Sequence, residues 1–201
     1  VSNYALHELP PKYVWLINHV EKAAHENRKI LIWSNFIGNL RALEKYLKPY
    51  NPALVFGGIK KDARKDEIKR FRENPECHVL LTNPQTLGEG ISLHKQCHEA
   101  VYIDRTYNAA LYLQSLDRIH RLGLSKNQET KIFILQSDLS IDLRISDSHE
   151  RKISRMSRFL SDPGLIETTI PLELDETSAS ELIGLDNYDL NDLLLHLRIN
   201  E

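Results

Sequence analysis

The 201-residue sequence predicts an α/β domain built on a mostly parallel sheet. Five apolar runs of strand length recur along the chain: KILIW (29–33), ALVF (53–56), HVLLT (78–82), AVYI (100–103) and KIFIL (131–135). They are rich in Val and Ile and nearly continuous rather than alternating, which is how strands buried on both faces of a parallel sheet read. Helical patterns lie between them. The resulting order, β-α-β-α-β-β-α-β, is that of parallel strands joined by crossovers.

Each element has its own local reason. PPKYVWLINHVEKAAHENR predicts a helix opened by Pro10 and Pro11, where a missing N–H costs nothing. GNLRALEKYL (38–47) puts Leu40, Leu43 and Leu47 on one side. DARKDEIKRFREN (62–74) turns Ile68 and Phe71 inward and keeps a basic outer face, where Lys69 and Arg72 could skim a phosphate backbone. Residues 92–99 read as a loop or short turn, and Ala109 to Leu122 as a helix. SIDLRISDSHERKISRMSRFLSDPGL reads as a charged helix ending near Pro163 and Gly164. The domain is expected over 1–166. Residues 167–201 form an acidic extension whose Leu190, Leu193, Leu194 and Leu197 predict a short amphipathic helix, suited to docking on this domain or a neighbour.

Composition narrows the classes. With 41% hydrophobic residues the chain can bury a core without disulfides. Its two cysteines, Cys77 and Cys97, have no CxxC pairing, and a reducing, intracellular setting (cytoplasmic, or nuclear in a eukaryote) fits best. No apolar run approaches a membrane span. The start, VSNYALHELPPKY, has no signal-peptide pattern and reads as the interior of a longer polypeptide. The formal charge of −2 hides an asymmetry: residues 1–166 hold 25 Lys and Arg against 19 Asp and Glu, while 167–201 hold 1 against 9. A mildly basic body suits a polyanion, and the acidic tail would compete with it or bind a protein partner.

In open α/β sheets ligands bind at the carboxyl ends of strands. The loops there read SNFIGN, GGIKKD, NPQTLGEGIS and DRTYNAA. Gly57 and Gly58, followed by Lys60, Lys61 and Arg64 at a helix start, suit phosphates; a plain turn before a solvated helix reads equally well. HKQCH brings His94, Cys97 and His98 together, but a structural zinc needs about four ligands and no second pair lies nearby, so no metal is assigned. There is no GxxxxGK[ST] loop and no DExx box, which excludes a self-sufficient P-loop ATPase.

QSLDRIHRLGL (114–124) carries the sharpest signal. On a helix, Gln114, Asp117, Arg118 and Arg121 share one face, with Leu113, Leu116 and His120 opposite. Such a stripe is either solvated or turned to an anionic ligand. Together with the loops, it resembles the second RecA-like lobe of superfamily-two helicases, most closely the Swi/Snf-type DNA translocases. That family closes on Q-x-x-D-R-x-x-R-x-G-Q, matched here by Gln114, Asp117, Arg118, Arg121 and Gly123, with Leu124 replacing the last Gln. GEGISL (88–93) resembles G-x-G-[LI]-N-L, with Ser92 for Asn, and AVYID ends at Asp104 as the following strand does. RTYNAALYLQ is similar to the Trp-Asn-Pro…Gln stretch, with Tyr107, Asn108 and Ala109. KILIWSNF and FGGIKKDARKDEIKRF resemble two further elements in order, and SIDLRI (140–145) is similar to the T-I-D-E-x-I piece that starts a C-terminal bracing helix. The resemblance spans about residues 11–165, and the departures suggest a divergent branch, with a microbial one as an option.

The resemblance implies a three-layer RecA-like fold and a role as second motor lobe of an ATP-dependent double-stranded DNA translocase or helicase. A first lobe of the same polypeptide would hold most of ATP and Mg²⁺. Arg121 and Arg118 would reach the γ-phosphate as the cleft closes, oriented by Gln114 and Asp117. Gly88, Glu89 and Gly90 would also contact ATP. Ser34, Asn35, Gly58, Lys60, Lys61, Asn83 and Thr86 would hold DNA phosphates. The fragment alone would hydrolyse no ATP. The rival reading is a non-catalytic lobe serving as a DNA or protein scaffold; a Rossmann-like transferase lacks a fingerprint, since GEG stands at the wrong kind of turn.

Overall fold

The computed structural model describes residues 9–88, 91–119, 129–138 and 140–160. The elements are α1 (Pro11–His25), β1 (Ile30–Trp33), α2 (Ile37–Tyr46), β2 (Ala53–Val55), α3 (Lys61–Glu73), β3 (Val79–Thr82), β4 (Glu99–Tyr102), α4 (Ala109–Leu116), β5 (Lys131–Ile134) and α5 (Ile141–Leu160). Short 3-10 turns at Lys48–Tyr50 and Thr86–Gly88 add to the expected pattern.

All four strand pairings are parallel, in the order β2-β3-β1-β4-β5. Central β1 lies between β3 (Leu31 opposite Leu80) and β4 (Leu31 opposite Ala100). Its four residues are fully buried, as a continuous apolar run requires. Because side chains alternate across a strand, Ile30 and Ile32 pack with Leu16, Val20, Leu40 and Leu43 of α1 and α2. Leu31 and Trp33 pack on the other side with Ile68 and Phe71 of α3 and Leu113 and Leu116 of α4, and Ile153 of α5 borders that cluster. The result is three layers, helix on sheet on helix.

Polar contacts fix the layers to the sheet. The Lys29 ammonium donates to the carbonyls of Phe71, Asn74 (2.7 Å) and Cys77 (2.9 Å), tying the start of β1 to the end of α3. Inside the other layer, Tyr102 Oη and Ser115 Oγ are 2.5 Å apart, joining β4 to α4. Burial pushes the Tyr102 phenol well above its usual pKa, so it stays protonated.

One expected element differs. The helix predicted over 109–122 ends at Leu116, and 117–119 form a turn. The amides of Arg118 and Ile119 donate to Ser115 and Leu116, three residues back, which tightens the chain. The Arg118 carbonyl accepts from Leu93 N at 2.8 Å. The stretch 120–122 lies outside the described residues, as does the acidic extension.

Candidate functional site

The parallel order puts every strand-end loop at one edge of the sheet. From β1 the chain leaves towards β2, and from β4 towards β5, so the crevice between β1 and β4 is the switch point where such folds bind ligands. Ser34 and Asn35 follow β1 there, opposite Asp104 after β4. The Asp104 carboxylate accepts from Ser34 Oγ, from Asn35 N (2.7 Å) and Nδ2 (3.2 Å), and from Asn39 Nδ2 (3.1 Å). One acid thereby fixes the β1 loop and the first turn of α2. Ser34 is fully buried and committed to Asp104, while Asn35 is half-buried.

The loops after β2 and β3 lie next in order. Gly57, Gly58 and Lys60 are exposed, and Lys60 is the residue at which α3 begins, with Lys61 in its first turn. Gly58 has a steric reason: an added Cβ would come within 2.9 Å of the Phe56 ring. From Gly57 the same construction reaches Thr86 Oγ1 at 3.7 Å, so the two loops touch. Asn83 is buried; its Nδ2 lies 3.4 Å from Gln85 Oε1, and its Oδ1 has no hydrogen-bond partner among the described residues. Arg72 stands on the exposed face of α3, as expected, and donates from there to the Ser92 carbonyl at 2.8 Å.

Gln114 stands on α4, half-buried, whereas Asp117 and Arg118 occupy the turn after it and are buried, 5% and 8% exposed. The four-residue stripe is therefore not one solvated helical face: Asp117 and Arg118 turn inward against the protein. The Leu93–Arg118 backbone bond brings the segment after GEG onto this turn, and α4 packs on the 3-10 turn that ends at Gly88. Glu89, Gly90 and Arg121 lie outside the described residues.

Sequence reasoning missed the loop between β4 and α4 as an anchor point. Arg105 donates to Ser146 Oγ of α5, lies 3.5 Å from His149 Nδ1, and has its guanidinium 5.3 Å from the Tyr112 ring centre. The only signal was DRT itself, an ion pair's worth of charge directly after a buried strand. Cys97, considered with His94 and His98, is a core thiol: its Sγ donates towards the carbonyls of Lys29 (3.3 Å) and Glu99 (3.2 Å), and burial pushes its pKa up to about 12. Among the described residues no group of three or more His, Cys, Asp or Glu could hold a metal.

Residues 11–123 match the family model of the helicase conserved C-terminal domain, more than half of the chain. The chain belongs to that family. Relatives of this helicase C-terminal domain include the ATP-dependent DNA helicase DDM1 of Arabidopsis thaliana, 28% identical over 186 residues, covering 84% of this chain and 24% of the relative. The chromatin-remodeling ATPase INO80 of Saccharomyces cerevisiae is 27% identical over 133 residues, covering 65% and 9%. The chain thus spans a quarter or less of these relatives. Among solved structures, the C-terminal part of the Fun30 ATPase domain shares the fold, with a TM-score of 0.64 at 22% identity, covering 92% of this chain and 54% of that one. These likenesses agree with the resemblance carried by the sequence motifs, and the shared fold is of the RecA-like α/β kind.

Proposed function

We propose that this helicase C-terminal domain is the second motor lobe of an ATP-dependent translocase acting on double-stranded DNA. The observation that carries the reading is the adjacency of loops at one sheet edge. Candidates for gripping phosphate follow the neighbouring strands β2, β3 and β1, and the loop that leads into α4 and its arginine-bearing turn follows β4 beside them. Exposed Lys60 and Lys61 at the start of α3 offer charge and helix amides together. Asn35 and Thr86 add side chains able to hydrogen-bond, and Ser34 acts from inside by holding Asp104.

ATP, with Mg²⁺, would be held chiefly by a first lobe of the same polypeptide. Arg118 and Arg121 would close on it from this lobe, together with Gly88, Glu89 and Gly90. A planar, permanently charged guanidinium suits the equatorial oxygens of a transferring phosphoryl group. Gln114 and Asp117 would orient the arginines. Closing and opening of the cleft would alternate the phosphate grip and step the lobe along DNA. DNA work of this kind sets the protein inside the cell, in the nucleus of a eukaryote. Among the described residues no helix is long and apolar enough to cross a membrane.

The grip is tested with Lys60→Ala in the full-length protein, by DNA affinity and by ATP hydrolysis with and without duplex DNA. DNA affinity and DNA-stimulated hydrolysis are expected to fall with hydrolysis in the absence of DNA spared. Unchanged DNA affinity would contradict the assignment.

A further inference from the structure

The loop joining β4 to α4, residues 104–108, is held at each position. Asp104 faces the β1 loop as described, and Asn108 caps α4 by accepting from Leu111 N at 3.1 Å. The three residues between them are held by α5. Ser146 Oγ accepts from Arg105, His149 Nε2 lies 2.7 Å from the Thr106 carbonyl, and the Lys152 ammonium donates to the Tyr107 carbonyl at 3.0 Å. Ser146, His149 and Lys152 recur every three residues, so they share one face of α5. That face grips the loop from which α4 and its arginine turn project.

We infer that this face of α5 is a latch setting the position of α4 and of the arginine-bearing turn, with Arg105 and His149 as its positioning residues. The inference rests on the reading of that turn as a nucleotide contact. A carbonyl only accepts, so the bond to Thr106 places a proton on His149 Nε2. The other ring nitrogen, Nδ1, lies 3.5 Å from Arg105, at the outer limit of a hydrogen bond. Arg105 faces the imidazole from the loop; Tyr112 faces it from α4, ring centres 5.1 Å apart; Lys152 follows on α5. Arg105 also spans the junction itself, lying over Tyr112 of α4 while bonding Ser146 of α5.

The test is steady-state ATP hydrolysis by the full-length protein with duplex DNA, on wild type, Arg105→Ala, His149→Ala, His149→Gln and Arg121→Ala. Misplacing a catalytic group by about 1 Å can cost ~10²-fold. Arg105→Ala and His149→Ala are accordingly expected to lower kcat by ~10- to 100-fold with the KM for ATP and the affinity for DNA nearly unchanged. His149→Gln keeps an N–H for Thr106 and an oxygen for Arg105. It is expected to retain most of kcat, which the truncation in His149→Ala does not. If His149→Ala does not fold, Arg105→Ala and His149→Gln decide the matter. Wild-type kcat in Arg105→Ala, or a loss in His149→Gln as large as that expected of His149→Ala, with Arg121→Ala impaired, would overturn the latch alone. Normal turnover in Arg121→Ala would remove the nucleotide reading, and the latch with it.

Discussion

The Lys29 ammonium sits against three backbone carbonyls at the end of α3 and in the turn before β3. Its position 5.1 Å from the Phe71 ring centre adds a cation–π contact. Burial lowers its pKa, opposed by the Cys77 and Cys97 sulfurs. Lys29→Met keeps the aliphatic stem but leaves the carbonyls without their donor. Buried acceptors left unsatisfied cost about 1–3 kcal/mol, so a fall of that size is expected in the unfolding free energy from urea titration. A midpoint equal to wild type would show that water replaces the ammonium at no cost. At the same scale, Asp104 was legible in the sequence only as the end of a strand. Its four donors come from residues 65 to 70 positions earlier, and no local pattern announces a contact of that range. Arg105 escaped notice for the same reason, since its partners lie on α5.

At the scale of elements, the five strands and the inward leucines of α2 were legible because apolar period and length state them directly. Leu40, Leu43 and Leu47 are all fully buried, as their spacing requires. The end of α4 was not legible. Asp117 and Arg118 fit a helical period, yet they form a turn whose Arg118 carbonyl accepts from Leu93 N, a contact no local pattern announces. The start of α4 is set locally by Asn108, whose side chain accepts from Leu111 N. Removing an N-cap of this kind costs about 1 kcal/mol. Asn108→Ala is therefore expected to lower Tm by roughly 2–4 °C, the usual response of a chain of this size, read by calorimetry. Asn108→Asp should retain most of the stability, because a carboxylate caps as well and suits the helix dipole. Equal losses in the two variants would mean that Asn108 acts through something other than the cap.

Across the whole molecule, one feature of the sheet organises everything else: all strands run the same way, so every strand-end loop meets at one edge. The body of the chain carries excess positive charge and the extension after residue 166 excess negative charge. Contacts with phosphates release counterions, so duplex binding by the full-length protein is expected to weaken steeply with salt and to show no sequence preference. An affinity unchanged from low to moderate salt would contradict the phosphate grip. The central claim is that this lobe supplies charge to ATP held elsewhere. It is tested most directly by the kcat of the full-length protein carrying Arg121→Ala, measured with saturating duplex DNA. A missing arginine that acts on the transition state leaves ground-state ATP binding largely intact. The account predicts a kcat lower by ~10²-fold or more, a KM for ATP that moves far less, and poor rescue by Arg121→Lys, whose ammonium cannot form the planar fork. Near-normal turnover in Arg121→Ala would contradict it and leave the lobe a scaffold.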